Sequence, residues 1–146
     1  MTILDANILL YAYNADASQH IDTRRWLEQQ LAGTDPIGIP WIALWGFLRI
    51  STNPRLTRVV LGDDEVLMAV RELLAHPLIT VVEPGPRHAE ILEDLVRGAK
   101  ATGPLVTDAA LAALAIEHGA TLASTDRDFS RFPNLRWISP LSAAGS

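Results

Sequence analysis

Five short apolar runs, separated by segments with helical periodicity, constrain the fold of this chain more than any other feature of its sequence. Their length and their turn residues at both ends indicate buried β-strands. The runs are Thr2 to Asp5, Ile37 to Ile39, Ile79 to Val82, Thr121 to Ser124 and Leu135 to Ile138. Strands that are apolar throughout are typical of parallel sheets covered on both faces. The pattern predicts an α/β fold with a central, short, mostly parallel β-sheet flanked by helices.

The segments between the strands predict six helices. Their expected bounds are Asn7 to Tyr13, Ser18 to Leu31, Trp41 to Ser51, Asp63 or Asp64 to about Ala75, Arg87 to Ala99, and Thr107 to His118. The chain has 146 residues and contains no repeat or linker, and this length is ordinary for one domain. We therefore predict a single domain over residues 1–146.

Composition excludes several kinds of site. The chain contains no Cys, so disulfides, zinc–thiolate sites and cysteine nucleophiles are excluded. No basic N-terminal region precedes an apolar stretch, and no run approaches the roughly 18 apolar residues that span a bilayer. We expect a cytoplasmic protein with no membrane segment. A net charge of −5 argues against phosphate binding, because proteins that bind phosphates by counterion release are usually basic.

Acidic residues follow two of the predicted strands. Asp5 closes the first strand, Asp126 and Asp128 follow the strand that ends at Ser124, and Asp108 lies in the first turn of the preceding helix. Ligands of parallel sheets bind beyond the carboxyl ends of the strands. Two carboxylates about 4 Å apart repel by roughly 4 kcal/mol at a dielectric of 20, so a cluster of three favours a bound cation. Oxygen ligands favour Mg²⁺ or Mn²⁺, which support phosphodiester hydrolysis.

Each acid also has a structural interpretation. Asp108 could interact with the helix dipole. Asp126 could cap the turn at Arg127 to Ser130, and Asp128 could be solvated. Asp5 is harder to explain in this way because it follows Thr2-Ile3-Leu4 in a segment with almost no other polar group. Spacing alone leaves these alternatives open.

Three segments resemble a known family over nearly the whole chain. They are Asp5-Ala6-Asn7, Phe47 to Arg55, and the block from Gly103 to Pro133, which is the most specific. They resemble the PIN-domain ribonucleases and, among these, the VapC-type toxins. The resemblance implies an acidic metal site, endonucleolytic cleavage of structured RNA, a homodimer, and inhibition by a VapB-type antitoxin.

The resemblance also assigns roles to individual residues. The metal-binding and catalytic acids would be Asp5, Asp108 and Asp126, with Asp128 as a fourth candidate ligand. The residues that orient carboxylates and water would be Asn7, Thr107 and Thr125. The candidate phosphate contacts would be Arg49 and Arg55, although Arg49 is equally suited to pair with one of the acids.

One position departs from the family pattern. Many relatives carry a Glu three residues before the arginine that Arg49 matches, and here that position is Gly46. A subgroup with the same Arg-Ile-Ser-Thr-Asn-Pro-Arg run looks similar, and Glu90 is another candidate carboxylate. The alternative function is therefore a catalytically weak or inactive PIN-like binding module.

Two further alternatives concern phosphoryl chemistry and aromatic residues. Haloacid-dehalogenase-like phosphatases and response-regulator receivers also place an Asp after a strand, but both use a downstream Lys. The only lysine here is Lys100, which does not follow a strand. Trp41, Trp45 and Phe47 share one predicted helix, and at such spacing aromatics are more often core residues than ligand stackers. The other interpretation is a groove for a partner.

Overall fold

The computed structural model describes residues 1–141 and confirms the predicted α/β architecture. The strands are β1 (Thr2–Leu4), β2 (Ile37–Pro40), β3 (Ile79–Val82), β4 (Thr121–Ala123) and β5 (Trp137–Ile138). The helices are α1 (Ala6–Tyr13), α2 (His20–Leu31), α3 (Trp41–Ser51), α4 (Asp63–Ala75), α5 (His88–Ala99) and α6 (Pro104–Glu117). A 3₁₀ helix follows β4 at Arg127–Arg131. The predicted domain extends to residue 146, and residues 142–146 lie outside the described residues.

The five strands form one sheet in the order β3-β2-β1-β4-β5, and every pairing is parallel. β1 lies at the centre, where Thr2 is in register with Ile37 on one side and with Thr121 on the other. The carboxyl ends of β1 and β4 therefore meet, with Leu4 opposite Ala123. This register brings the residues that follow these two strands to one edge of the sheet.

Each face of the sheet packs against its own apolar layer. Ile3 and Leu122 point to one face, where they join residues of α5 and α6. Leu4 and Ala123 point to the other face, where they join residues of α1 to α4. Neighbouring residues of a strand point to opposite faces, so consecutive apolar residues are required in each strand. This is the reason why the strands appear as continuous apolar runs.

The start of α6 differs from the sequence prediction. The helix begins at Pro104 instead of Thr107, because Gly103 takes a left-handed φ of +58° and Pro104 is the first helical residue. Proline is favoured there since its missing N–H has no helical partner. Asp108 consequently lies in the second turn of α6, and the prediction that it lies in the first turn was wrong. The dipole interpretation of Asp108 is weakened, because that effect falls off beyond the first turn.

The aromatic residues of α3 divide between core and surface. Phe47 is fully buried, as predicted, but Trp41 and Trp45 are exposed. The core interpretation was therefore wrong for these two tryptophans, because their face of α3 is not covered by another element of residues 1–141. No helix within residues 1–141 has the length and apolar character needed to cross a membrane.

Candidate functional site

Asp5 links the end of β1 to the start of α1. It caps the helix, since its Oδ1 accepts a hydrogen bond of 2.7 Å from the backbone N–H of Ala6. Its Oδ2 accepts from the hydroxyl of Ser124 at 2.8 Å and from the amide of Asn7 at 3.3 Å. The half-buried carboxylate is thus held in one orientation by three donors.

Ser124 joins the ends of the two central strands. Besides donating to Asp5, its buried Oγ accepts from the Asn7 amide at 3.0 Å and from the backbone N–H of Asp126 at 3.1 Å. The Oδ1 of Asn7 in turn accepts from the backbone N–H of Thr125 at 3.2 Å. The side chain of Asn7 therefore contacts both Asp5 and the end of β4, and its orienting role in catalysis stays a prediction. Sequence reasoning did not select Ser124, although a polar residue at the end of an apolar strand was a usable signal.

Three further carboxylates converge beside this network. One oxygen each of Asp108, Asp126 and Asp128 lies within 4.8 Å of the others. Asp126 also caps the 3₁₀ helix, accepting from the N–H of Asp128 at 2.9 Å, so its structural and ligand interpretations coexist. Asp5 is not in this group, although its charge contributes to the raised pKa of Asp108. Of the predicted acids, the structure therefore groups Asp108, Asp126 and Asp128 and places Asp5 next to them.

Among these four acids only Asp128 has a basic partner within residues 1–141, since the Nε of Arg131 lies 3.8 Å from its Oδ1. The pKa of Asp108 is raised from 3.8 to about 6, first by burial and then by the charges of Asp126, Asp5 and Asp128. Burial also raises the pKa of Asp5, the charge of Asp126 adds to this, and hydrogen bonds from Ser124 and Ala6 oppose it. Within residues 1–141, no Lys or Arg forms an ion pair with Asp5 or Asp108.

This donor set fits a hard divalent cation. Mg²⁺ and Mn²⁺ prefer carboxylate oxygens, and a bound cation would remove the repulsion that raises the pKa of Asp108. The site could not hold zinc through thiolates, because the chain contains no Cys. The acids lie at the carboxyl edge of the parallel sheet, which is where sheets of this kind bind ligands.

Comparison with known proteins identifies the family. The model of the PIN domain matches residues 2–135. The chain belongs to the PIN domain family. Ribonuclease VapC37 of Mycobacterium tuberculosis is 41% identical over 140 residues, covering 96% of this chain and 97% of that protein. Ribonuclease VapC25 of the same species is 37% identical, covering 96% and 99%. The family predicted from the sequence motifs is confirmed.

Solved structures of VapBC-type proteins share the fold at low sequence identity. VapBC-1 from nontypeable Haemophilus influenzae matches with a TM-score of 0.71 and 18% identity, covering 96% of this chain and 98% of that one. VapC20 of Mycobacterium tuberculosis, described as a sarcin–ricin loop cleaving toxin, matches with a TM-score of 0.65 and 17% identity, covering 93% and 99%. At such identities these structures support the fold alone.

The PIN domain carries a cleft of about 470 Å³ beside the acidic residues. Asp5, Arg49, Thr107 and Gly46 all contribute to its walls. Arg49 is exposed and makes no ion pair within the described residues. This leaves its guanidinium available to a ligand in the cleft, as expected for a phosphate contact.

The remaining candidates lie outside this cleft. Arg55 is exposed in the turn after α3, where its N–H donates to the side chain of Asn53. Thr125 enters the network through its backbone N–H. Glu90 is exposed on α5 and does not join the carboxylate cluster found among residues 1–141.

Gly46 forms part of the cleft wall. A Cβ atom built on Gly46 would lie 3.2 Å from the Cβ of Ala6, which is closer than ordinary van der Waals contact. The glycine thus allows α3 to approach the start of α1 beside Asp5. Within residues 1–141, the carboxylate cluster of Asp108, Asp126 and Asp128 has no member from α3.

Proposed function

We propose that this PIN domain is a metal-dependent endoribonuclease toxin that hydrolyses RNA phosphodiester bonds and is neutralised by a VapB-type antitoxin. The observation that carries the proposal is the convergence of Asp108, Asp126 and Asp128 beside Asp5, with no cationic side chain of residues 1–141 paired to Asp5 or Asp108. The VapC ribonucleases that match almost the whole chain support it. The expected place of action is the cytoplasm.

The carboxylates of Asp108, Asp126 and Asp128 would hold Mg²⁺ or Mn²⁺, with Asp5 alongside. When bound, such a cation activates water and stabilises the negative charge that develops on the phosphoryl group. The protein contributes a rigid arrangement of acids, because Ser124 and Asn7 fix the carboxylate of Asp5.

Arg49 would bind the substrate phosphate from the opposite wall of the cleft. Its guanidinium offers a planar set of donors suited to phosphate oxygens. The cleft also contains the exposed Thr107, which is placed to contact the substrate or water. Arg55 would contact RNA beyond the cleft. The positive charge of these two arginines would support RNA binding despite the overall charge of −5.

The proposed partners also follow from the relatives. Several structural neighbours are VapBC complexes, one of them from Rickettsia felis and bound to a promoter DNA fragment. We expect this chain to bind an antitoxin of that kind and to form a homodimer. Co-expression with an adjacent antitoxin gene and measurement of the complex mass test both expectations.

A binding module without catalysis is the second candidate function, and Gly46 favours it. The missing family Glu leaves the cleft with one potential ligand fewer than in many relatives. A module without a metal site would show no change of melting temperature on titration with Mg²⁺ or Mn²⁺, whereas a metal-dependent enzyme would be stabilised.

The decisive experiment is cleavage of total RNA by the purified protein. We expect cleavage in Mg²⁺ or Mn²⁺ and none in chelator, with discrete new ends when the products are mapped. Asp108→Asn should nearly abolish cleavage, while the matched change of an exposed acid, Asp94→Asn on α5, should not. Equal cleavage by wild type and Asp108→Asn in Mg²⁺ would exclude the proposed mechanism.

A further inference from the structure

Helix α3 presents a row of three large side chains next to the acidic cleft. Trp41, Trp45 and Arg49 are spaced by four residues and therefore lie on one face of the helix. Trp41 is 40% exposed and Trp45 is 62% exposed. Their rings stack with centroids 6.4 Å apart and planes inclined by 29°. An exposed aromatic pair of this size marks a binding surface.

Trp45 connects the acidic cleft to a second cavity. It contributes to the wall of the cleft that contains Asp5 and Arg49. It also contributes to an apolar groove of about 550 Å³ whose lining includes Trp41, Val82 and other apolar side chains. The two cavities are therefore adjacent, and a chain that leaves the cleft over Trp45 enters the groove.

The second wall of the groove is held in place by the end of α6. The carboxylate of Glu117 accepts two hydrogen bonds of 2.8 Å from the backbone N–H groups of Gly85 and Arg87. His118 bonds through its Nε2 to the carbonyl of Glu83 at 2.9 Å. These contacts fix the segment around Pro84 that faces the tryptophans. The groove is thus formed before any ligand binds.

The order of chemical groups along α3 matches single-stranded RNA. Arg49 lines the same cleft as Asp5, and the flat aromatic rings of Trp45 and Trp41 follow one and two helical turns away on the same face of α3. Nucleobases stack on exposed aromatic side chains in single-stranded nucleic acid sites. An apolar peptide would fill the groove but would leave unexplained why the row ends in Arg49 at the acidic cleft.

We infer that Trp45, supported by Trp41, is a stacking platform for an unpaired nucleobase adjacent to the phosphate that is cut. The inference rests on the proposed ribonuclease function and specifies its substrate class. Bases in a duplex are covered by their neighbours, so this platform selects RNA that is single-stranded or looped out next to the cleavage point.

Binding measurements on catalytically silenced protein test the platform. All variants are made in the Asp108→Asn protein, which is the background. The probe is a labelled single-stranded oligoribonucleotide of about ten nucleotides that spans the mapped cleavage site. Stacking on an aromatic side chain accounts for roughly 5- to 150-fold in affinity for each base. We expect Trp45→Ala to weaken binding within this range and Trp45→Phe to retain most of it. The control Ile21→Ala, which changes a 68% exposed side chain on α2, should bind as the background does.

A series of abasic probes identifies the stacked base. At one position next to the cut phosphate, removal of the base should weaken binding to the Trp45 protein but should cost little in Trp45→Ala. Equal losses in both proteins at every position would overturn the inference. Unchanged binding of the intact probe by Trp45→Ala would also overturn it. The inference would be wrong as well if Trp45→Ala were monomeric where the Trp45 protein is a dimer, while the Trp45 protein bound every abasic probe as tightly as the intact one.

Activity measurements separate this inference from the proposed function. With Asp108 intact, Trp45→Ala should still cut RNA in Mg²⁺, with a lower kcat/KM than wild type on the single-stranded probe. If the wild type cuts no RNA in Mg²⁺ or Mn²⁺, the ribonuclease proposal itself is wrong. If wild type and Trp45→Ala cut the probe equally well, the ribonuclease stands and only the stacking platform is wrong.

Discussion

Replacing Asp108 by Asn should make the metal-free protein more stable at neutral pH, because the acidic cluster costs the folded state free energy. The pKa of Asp108 is raised from 3.8 to about 6 by burial and by three neighbouring carboxylates. Asn has almost the same shape but carries no charge. The substitution therefore removes the burial penalty and the repulsion together, and this relief should exceed any loss of hydrogen bonding.

The size of the effect follows from the pKa. A change from 3.8 to about 6, at roughly 1.4 kcal/mol for each pH unit, corresponds to about 3 kcal/mol. Asp108 is only partly buried, and solvent screening reduces this to about 1–2 kcal/mol. For a chain of this length, that corresponds to a rise of roughly 3–6 °C in melting temperature.

The dependence on pH has a definite sign. The pKa of Asp108 is higher in the folded state than in the unfolded state, so the folded state binds the proton more tightly. The penalty is fully present above about pH 6 and shrinks as the pH falls towards 3.8. The advantage of Asp108→Asn over wild type should therefore fall to about half at pH 5.

Thermal melts of wild type, Asp108→Asn and the control Asp94→Asn measure these differences at pH 7.5 and pH 5, in chelator and in excess Mg²⁺. Saturating metal at about 100 times its Kd should stabilise the wild type by roughly 2.7 kcal/mol and reverse the gap. If Asp108→Asn melts no higher than wild type in chelator at pH 7.5, the carboxylates do not repel one another in the folded protein, and the metal-site assignment loses its physical basis.

Three further predictions concern the network, the groove wall and the substrate contacts. Ser124→Ala should lower the free energy of unfolding by about 1–3 kcal/mol in urea denaturation, because it leaves buried partners without hydrogen bonds; it should also slow RNA cleavage, since Asp5 loses a donor. Glu117→Gln should reduce the loss of stability on acidification in thermal melts. The backbone N–H of Gly85 is the main cause that lowers the pKa of Glu117 below 4.5, so this carboxylate stabilises the fold above that pH and its contribution is lost as the pH falls through the lowered value. RNA affinity should fall with salt at a slope of about −0.7 per phosphate contacted, and Arg49→Ala should remove roughly one contact from that slope.

Each of the three can be contradicted by a simple result. Unchanged urea denaturation of Ser124→Ala would mean that its hydroxyl is replaceable by water. If Glu117→Gln and wild type lose the same stability on acidification, the charge-assisted hydrogen bonds of Glu117 do not stabilise the groove wall. An affinity that does not depend on salt would show that RNA is not held through its phosphates.

The fold was predictable because each strand is covered on both faces and so must be apolar at consecutive positions. Asp5 could be selected for the same reason, since a charged residue directly after such a strand has few structural roles. The group of Asp126 and Asp128 depends on the 3₁₀ helix after β4, and sequence periodicity does not fix the direction of side chains in so short an element.

Two features of the site required the structure. Helical periodicity showed that Trp41 and Trp45 share a face but not whether another element covers that face. The arginine four residues after Trp45 was an available signal that the face is open. Ser124 was marked in the sequence only as a polar residue at the end of an apolar strand, and its hydrogen bonds to Asp5 and Asn7 depend on the pairing of β1 with β4.

The pairing of β1 with β4 determines when the acidic site can form as well as where it lies. Asp5 and the hydroxyl that holds it are 119 positions apart in the chain, and Asp126 and Asp128 follow later still. Closing so long a loop is slow and comes late in folding. During synthesis, a growing chain exposes Asp5 long before its partner strand exists. The acidic site therefore cannot be assembled until β4 and the residues after it have been synthesised.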